Sequence, residues 1–345
     1  MKLFASVGGY FALDIGTTAV RAVQLGGHEG AWTLAHYGTV PIDQSSRSEA
    51  DEQASIRAAI TAVIGQSGIH TKNVILGLPS SKVFSAVVDM PDAPAKELAK
   101  AIERQMRQST PDTDDVSVDW AVLGKSKRDS TKNEVLLASV AKDFIATRVD
   151  LVKGLGLNVV AVEPDTLAVA RALSPAASND ASIIVDIDDF ATDIFFAYDD
   201  APRVLCSLPI GMQALVSIVS RTLTVESVQA TQFITKFGMQ PDKLEGHVRT
   251  ALGPLVDRIV AEAEKSLGLY KERSDDIRTS RIILSGYGAI IPALDDYLAL
   301  KIGIPAELGN PWQKVNTEGK DRAQLQSLSS QFAVAVGLAQ RGGGA

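Results

Sequence analysis

FALDIGTTAVRAVQLGG, residues 11–27, places Asp14 near the end of an apolar run and follows it with Gly16, Thr17 and Thr18. Phe11, Leu13 and Ile15 alternate with small or polar neighbours, and alternation resumes from Ala19 to Leu25, so the pattern predicts two strands joined by a tight turn. Two readings of that turn stand side by side. One is an ordinary hairpin with Gly16 in its bend. The other is a turn lying against phosphate, because glycine lets the backbone approach while threonine hydroxyls and N–H groups can donate to oxygens.

A second stretch repeats the first. ASIIVDIDDFATDIFFAYDD, residues 181–200, reads as a strand with Asp186 at its end, a short polar turn and another strand. Asp14 and Asp186 hold matching places about half the chain apart. Duplication of such a unit predicts two carboxylates facing each other across a cleft between two lobes. A third element, RIILSGYGAIIPAL at 281–294, reads as a buried strand, a glycine turn and the start of a helix, the context in which nucleotide groups meet helix N-termini.

The whole-chain composition agrees. At 345 residues the chain exceeds what one hydrophobic core usually serves, so two lobes are expected. The net charge of −7 argues against a general nucleic-acid binder. The single cysteine, Cys206, cannot form an internal disulfide, which suits a reducing compartment, and its run VLCSLPI reads it as a core filler. The four histidines lie far apart without metal-ligand spacing. No run of 18 apolar residues reads as a transmembrane helix, and the start MKLFASVGGYFAL lacks a convincing cleavage site, so a cytoplasmic protein is expected.

Between these elements, helices are predicted over 49–66, 95–108, 142–155, 225–237, 254–270 and 322–340. Leu98, Ile102 and Met106 share a face of the second helix, and Pro254 is read as the first helical position of the fifth. Strands are predicted at 73–79, 81–91, 116–123 and 134–141, with an acidic turn PDTDD at 111–115. Residues 80–155 then alternate strand, helix, strand, strand, helix, a compact α+β unit that reads as an insertion. The expected division is 1–79 with 156–180 as a first lobe, 80–155 as the inserted domain, and 181–345 as a second lobe.

The two acidic turns and the Ser285–Ala289 bend, in this order, resemble the phosphate and adenosine loops of the actin-like ATPase superfamily. LDIGTTAVRAVQL is also similar to the opening of the PilM family of type IV pilus assembly proteins, in which the position of Arg21 is usually Lys. The run VILGLPSSKVFSAVVDMPDAPAKELAKAIERQMRQSTPDTDDVSVDWAVL resembles that family's inserted domain, and NVVAVEPDTLAVARAL, AEAEKSLGLY and FAVAVGLAQR resemble its later segments. The related FtsA family shares the plan but adds a linker and an amphipathic membrane helix at its C-terminus. The ending RGGGA favours the PilM family over an FtsA-like division tether. A small-molecule kinase of the superfamily is the other alternative.

The resemblance implies an α/β, two-lobed actin-like ATPase fold with a small inserted α+β domain, each lobe with a mixed five-stranded sheet. It implies ATP and Mg²⁺ as cofactors, with Asp14 and Asp186 approaching the metal. Gly16, Thr17 and Thr18, with Arg21 at the usual Lys position, are implied to hold phosphate, and Gly286, Gly288 and Ala289 to line the adenosine. Glu262 and Lys265 fall where the family contacts ribose and base, against the plainer reading of an exposed ion pair one turn apart. Glu163 falls where a side chain could orient water for hydrolysis, against a plain helix-start residue before Pro164. The implied partner is the cytoplasmic N-terminal segment of a bitopic membrane protein, PilN, gripped around residues 74–90. That places the chain at the inner membrane face through its partner; the sequence does not decide self-association. One departure stands out. Asp188 replaces the glycine usual in the second phosphate turn, and two like charges about 4 Å apart at an effective dielectric of about 20 cost roughly 4 kcal/mol. The substitution predicts weak or static ATP binding and slow or absent hydrolysis.

Overall fold

The computed structural model describes residues 9–44, 48–109, 115–175, 180–273 and 277–341, with side chains in the helix ending at Ser109 described as far as Gln105. The Met106 side chain, the acidic turn at 111–114 and the tail after Arg341 lie outside the described residues. The chain divides into two compact units. One comprises Met1–Ala172 with Lys314–Lys320 and Val334–Ala345, and the other Leu173–Gln313 with Asp321–Ala333. The expectation that all of 181–345 forms the second lobe differs from this division, since two C-terminal segments return to the first unit.

The first unit opens with β1 (Phe11–Ile15), β2 (Ala19–Gly26) and β3 (Trp32–Pro41), an antiparallel series whose third strand the sequence reading lacked. Helix α1 (Glu49–Ser67) starts at Ser48, whose hydroxyl accepts the Asp51 N–H, and stops at Gly68 with φ 71°, a left-handed value that suits glycine. Strand β4 (Asn73–Leu78) pairs parallel with β1. Then follow β5 (Val83–Pro91), α2 (Ala95–Ser109), β6 (Val116–Lys125), β7 (Lys132–Ala141) and α3 (Lys142–Lys153), the expected alternation. Strand β8 (Asn158–Pro164) and helix α4 (Asp165–Leu173) close this part.

The second unit begins with β9 (Ala181–Ile187), β10 (Thr192–Tyr198) and β11 (Ala201–Leu208), followed by α5 (Met212–Leu223), α6 (Ser227–Phe237) and α7 (His247–Arg273). Pro254 does not start α7 as expected but lies inside it. The reason is upstream burial: Val248, Ala251 and Leu252 extend the apolar stripe into the unit's core before the proline. Strand β12 (Thr279–Gly286), α8 (Leu294–Ile302) and β13 (Ala306–Leu308) follow. Then comes β14 (Val315–Asn316), and the expected helix over 322–340 is divided into α9 (Arg322–Leu328), a 3₁₀ turn at Ser329–Gln331 and α10 (Ala333–Ala339). The break coincides with the passage of the chain from the second unit back to the first.

Among the described residues three sheets form. The first unit carries the order β14-β3-β2-β1-β4-β8, one strand more than expected because Val315 pairs parallel with Trp32. The second carries β11-β10-β9-β12-β13. The third, β5-β7-β6, is the expected insertion's own sheet, with Leu98 and Ile102 of α2 packed on Met90, Val135 and Leu137. Its other end joins the first unit's main core through Val83, Ala138 and Val140. No helix among the described residues is long and apolar enough to cross a membrane.

Candidate functional site

The two acidic hairpins, each within its own unit, share one backbone geometry. In the first, the Gly16 N–H donates to the Ala19 carbonyl at 3.1 Å; in the second, the Asp188 N–H donates to the Ala191 carbonyl at 2.9 Å. Asp14 lies opposite Arg21 in the first ladder, and Asp186 lies opposite Asp193 in the second. These positions correspond between the hairpins. The duplication expected from sequence is therefore also a duplication of register, but the residue facing each aspartate differs in sign.

In the first hairpin, Arg21 Nη1 stands 3.3 Å from Asp14 Oδ2, and both side chains are buried. Burial pushes the Asp14 carboxyl above its ordinary range, and the neighbouring Arg21 guanidinium opposes that rise. The turn is tied down from outside: Ile42 N–H donates to the Thr18 carbonyl and Gln44 Nε2 to the Thr17 carbonyl.

In the second hairpin Asp186, Asp189 and Asp193 are buried and Asp188 is half-buried. The Asp188 and Asp189 carbonyls accept the N–H groups of Met212 and Gln213 at the start of α5. That approach requires Gly211, where a Cβ would lie 2.5 Å from the Asp189 carbonyl oxygen. Thr192 Oγ1 donates to the Ile210 carbonyl at 2.5 Å and fastens the same junction. Sequence reading missed Thr192 and Gly211; a glycine directly before a helical pattern was the available signal.

The Ser285–Ala289 bend packs on this hairpin. Strand β12 runs parallel to β9, pairing Ser285 with Asp186 and Gly286 with Ile187. Gly286 has φ 77°, and a Cβ there would lie 2.5 Å from the Ile187 carbonyl oxygen; one on Gly288 would lie 2.4 Å from Ile187 Cγ2. Both glycines are thus required by the fold of the unit itself. The Ala289 side chain is buried in the unit's core.

Glu262 and Lys265 form an ion pair of 2.9 Å, with Lys265 well exposed. Cys206 joins them: its Sγ donates to Glu262 Oε1 at 3.1 Å. The cysteine is half-buried at this contact, which corrects its reading as a core filler. Burial and the Glu262 carboxylate push its thiol up to about 11, while Lys265 and Cys206 hold Glu262 below its ordinary range.

Glu163, the last residue but one of β8, is fully buried between two arginines of the first unit, with Arg171 Nη1 at 2.8 Å from Oε1 and Arg341 Nε at 3.2 Å from Oε2. Arg171 also donates to the Gly337 carbonyl, and the Tyr10 hydroxyl to the Ala339 carbonyl. Gly337 lets α10 lie on α4, where a Cβ would stand 1.8 Å from the Ala168 carbonyl oxygen. Both Glu163 oxygens face arginines that tie down the C-terminal segment. The arginines responsible were missed because pairing of this kind leaves no local pattern.

Magnesium held through aspartates requires carboxylates whose negative charge the metal can neutralise. Asp14 already faces an internal cation, and among the described residues no group of three His, Cys, Asp or Glu side chains is placed to hold a metal ion. The residues present do not fit a magnesium site built on Asp14.

The family model described as Type IV pilus assembly protein PilM matches residues 12–343. A solved structure of a PilM–PilN type IV pilus biogenesis complex is similar at TM-score 0.82 and 21% identity, over 98% of this chain and 99% of that one. The ethanolamine utilization protein EutJ from Carboxydothermus hydrogenoformans is similar at TM-score 0.55 and 13% identity, over 96% and 89%. MreB 5 of Spiroplasma citri bound to AMPPNP is similar at TM-score 0.51 and 11% identity, over 96% and 95%. The fold is the two-lobed α/β plan of actin-like proteins, and with the family model spanning nearly every residue, the chain belongs to the type IV pilus assembly protein PilM family.

Proposed function

We propose that this chain is a scaffold of the type IV pilus machinery. It binds the short cytoplasmic N-terminal segment of a PilN-like bitopic membrane protein and works at the inner membrane face through that partner. The observation that carries the reading is the full-length similarity to a PilM–PilN complex. In the region expected to grip the segment, residues 74–90, Phe84 of β5 is 53% exposed; beside it, outside that range, Val118 of β6 is 38% exposed, and both flank Ser139 on one face of the inserted sheet. Such a face suits an apolar peptide side chain, and the edge strands β5 and β6 suit an extended backbone.

ATP enters the proposal as a clamp. In this reading Gly16, Thr17, Thr18, Asp186, Gly286 and Gly288 border a nucleotide whose binding draws the lobes together and biases partner affinity. Asp188 and the surrounding acidic side chains keep that binding weak, and hydrolysis slow or absent. The test is a fluorescence-anisotropy titration of the full chain with a labelled peptide of the partner's N-terminal segment, with and without ATP. Saturable binding at micromolar peptide is expected, strengthened by ATP. Absence of binding at about 1 mM peptide, a free energy near −4 kcal/mol, overturns the scaffold reading. Equal affinity with and without ATP overturns the clamp and leaves the scaffold standing.

A further inference from the structure

We propose that Arg21 is a built-in counter-cation for Asp14, taking the electrostatic place of a divalent metal, so that the first acidic hairpin is complete without one. The inference deepens the scaffold reading and depends on it only for where a metal would be expected.

Three observations carry it. The β1–β2 ladder sets Arg21 directly opposite Asp14, so the pairing is fixed by backbone register rather than by a wandering surface side chain. Arg21 Nη1 lies 3.3 Å from Asp14 Oδ2, with the two side chains 3% and 10% exposed. A guanidinium stays protonated at every physiological pH, so the positive charge beside Asp14 is permanent. A divalent ion approaching that carboxylate meets a fixed like charge at close range in a water-poor site.

The second hairpin gives the internal comparison. The position corresponding to Arg21 holds Asp193, opposite Asp186, and Asp188 and Asp189 follow in the turn. The cation is therefore a feature of the first hairpin and not of the hairpin design. The turn itself is closed by the Gly16 N–H to Ala19 bond and held by Ile42 and Gln44, so the pair is locked in place from both sides.

The experiment uses Mn²⁺ as probe, followed by electron paramagnetic resonance and calorimetry on the full chain. Wild type, Asp14→Asn, Arg21→Gln and the double variant Asp14→Asn/Arg21→Gln are compared. In wild type, no Asp14-dependent Mn²⁺ binding is expected up to about 1 mM. Arg21→Gln should gain at least about tenfold in Mn²⁺ affinity, and the double variant should lose that gain. Mn²⁺ held by wild type and released by Asp14→Asn overturns the proposal, as does an Arg21→Gln variant that folds and binds no better than wild type. Should Arg21→Gln fail to fold, Arg21→Met makes the same comparison, because it keeps an unbranched, adaptable stem and removes the charge. Affinity above wild type then supports the proposal, and affinity equal to it overturns the proposal. The peptide titration on the same preparations keeps the two readings apart: lost peptide binding overturns the scaffold without touching the metal comparison.

Discussion

Tyr10 donates its hydroxyl to the Ala339 carbonyl at 2.8 Å, and its pKa is pushed up from 10.0 to about 12. Burial is the main cause; Arg171 and Arg341 oppose the rise, and Glu163 adds to it. The folded chain therefore keeps a proton that the unfolded chain releases above pH 10. The sign follows: this contribution is fully present below pH 10 and is lost as pH rises towards 12, by roughly 2–3 kcal/mol for a shift of about two units. The denaturant midpoint should fall between pH 10 and 12 more steeply for wild type than for Tyr10→Phe, and parallel slopes would remove Tyr10 from the account. At this scale much was legible. Asp14, Arg21, Asp186 and Asp188 were all visible as charges at special places. Their partners were not, because a strand pair shows its charges in sequence but not which residue stands opposite. Glu163 shows the limit most clearly: one of its arginines lies on the following helix, and the other at the far end of the chain.

Among the elements, α1, β4, β9 and β12 were legible from apolar pattern and turn residues, whereas α4 and α5 were not predicted. The errors came where tertiary packing overrode a local signal. Pro254 is a good helix starter, yet burial of Val248, Ala251 and Leu252 carries α7 through it. Glycines show the same contrast, since sequence alone does not distinguish a close approach from open space. A Cβ on Gly211 would strike the Asp189 backbone at 2.5 Å, whereas one on Gly268 in α7 meets nothing within 4 Å. Gly211→Ala should therefore cost about 1–3 kcal/mol or more through overpacking at the start of α5. Gly268→Ala should stabilise by roughly 0.5–1 kcal/mol, because alanine loses less backbone freedom in a helix interior. Thermal melts of the two variants should move in opposite directions, and melts moving together would contradict this contrast.

For the whole molecule, each unit carries a large apolar cluster of its own, so a ligand held by one need not protect the other. Peptide at about 100 times its dissociation constant should stabilise what it binds by about 2.7 kcal/mol. Hydrogen exchange should accordingly slow in β4, β5 and the rest of the inserted sheet, while β9–β12 keep their free-state rates. Protection centred on β9–β12 would relocate the partner site. The sequence by itself determined the paired strand–Asp–turn units, the insertion's order of elements and the family, because alternation, turn chemistry and overall likeness are carried by neighbouring residues. Only the tertiary structure decided that Arg21 neutralises Asp14, that Glu163 tethers the C-terminal segment, and that Gly286 and Gly288 make room for Ile187. Those outcomes depend on ladder register, burial and contacts between residues distant in sequence, and the chain acquires them only when it folds.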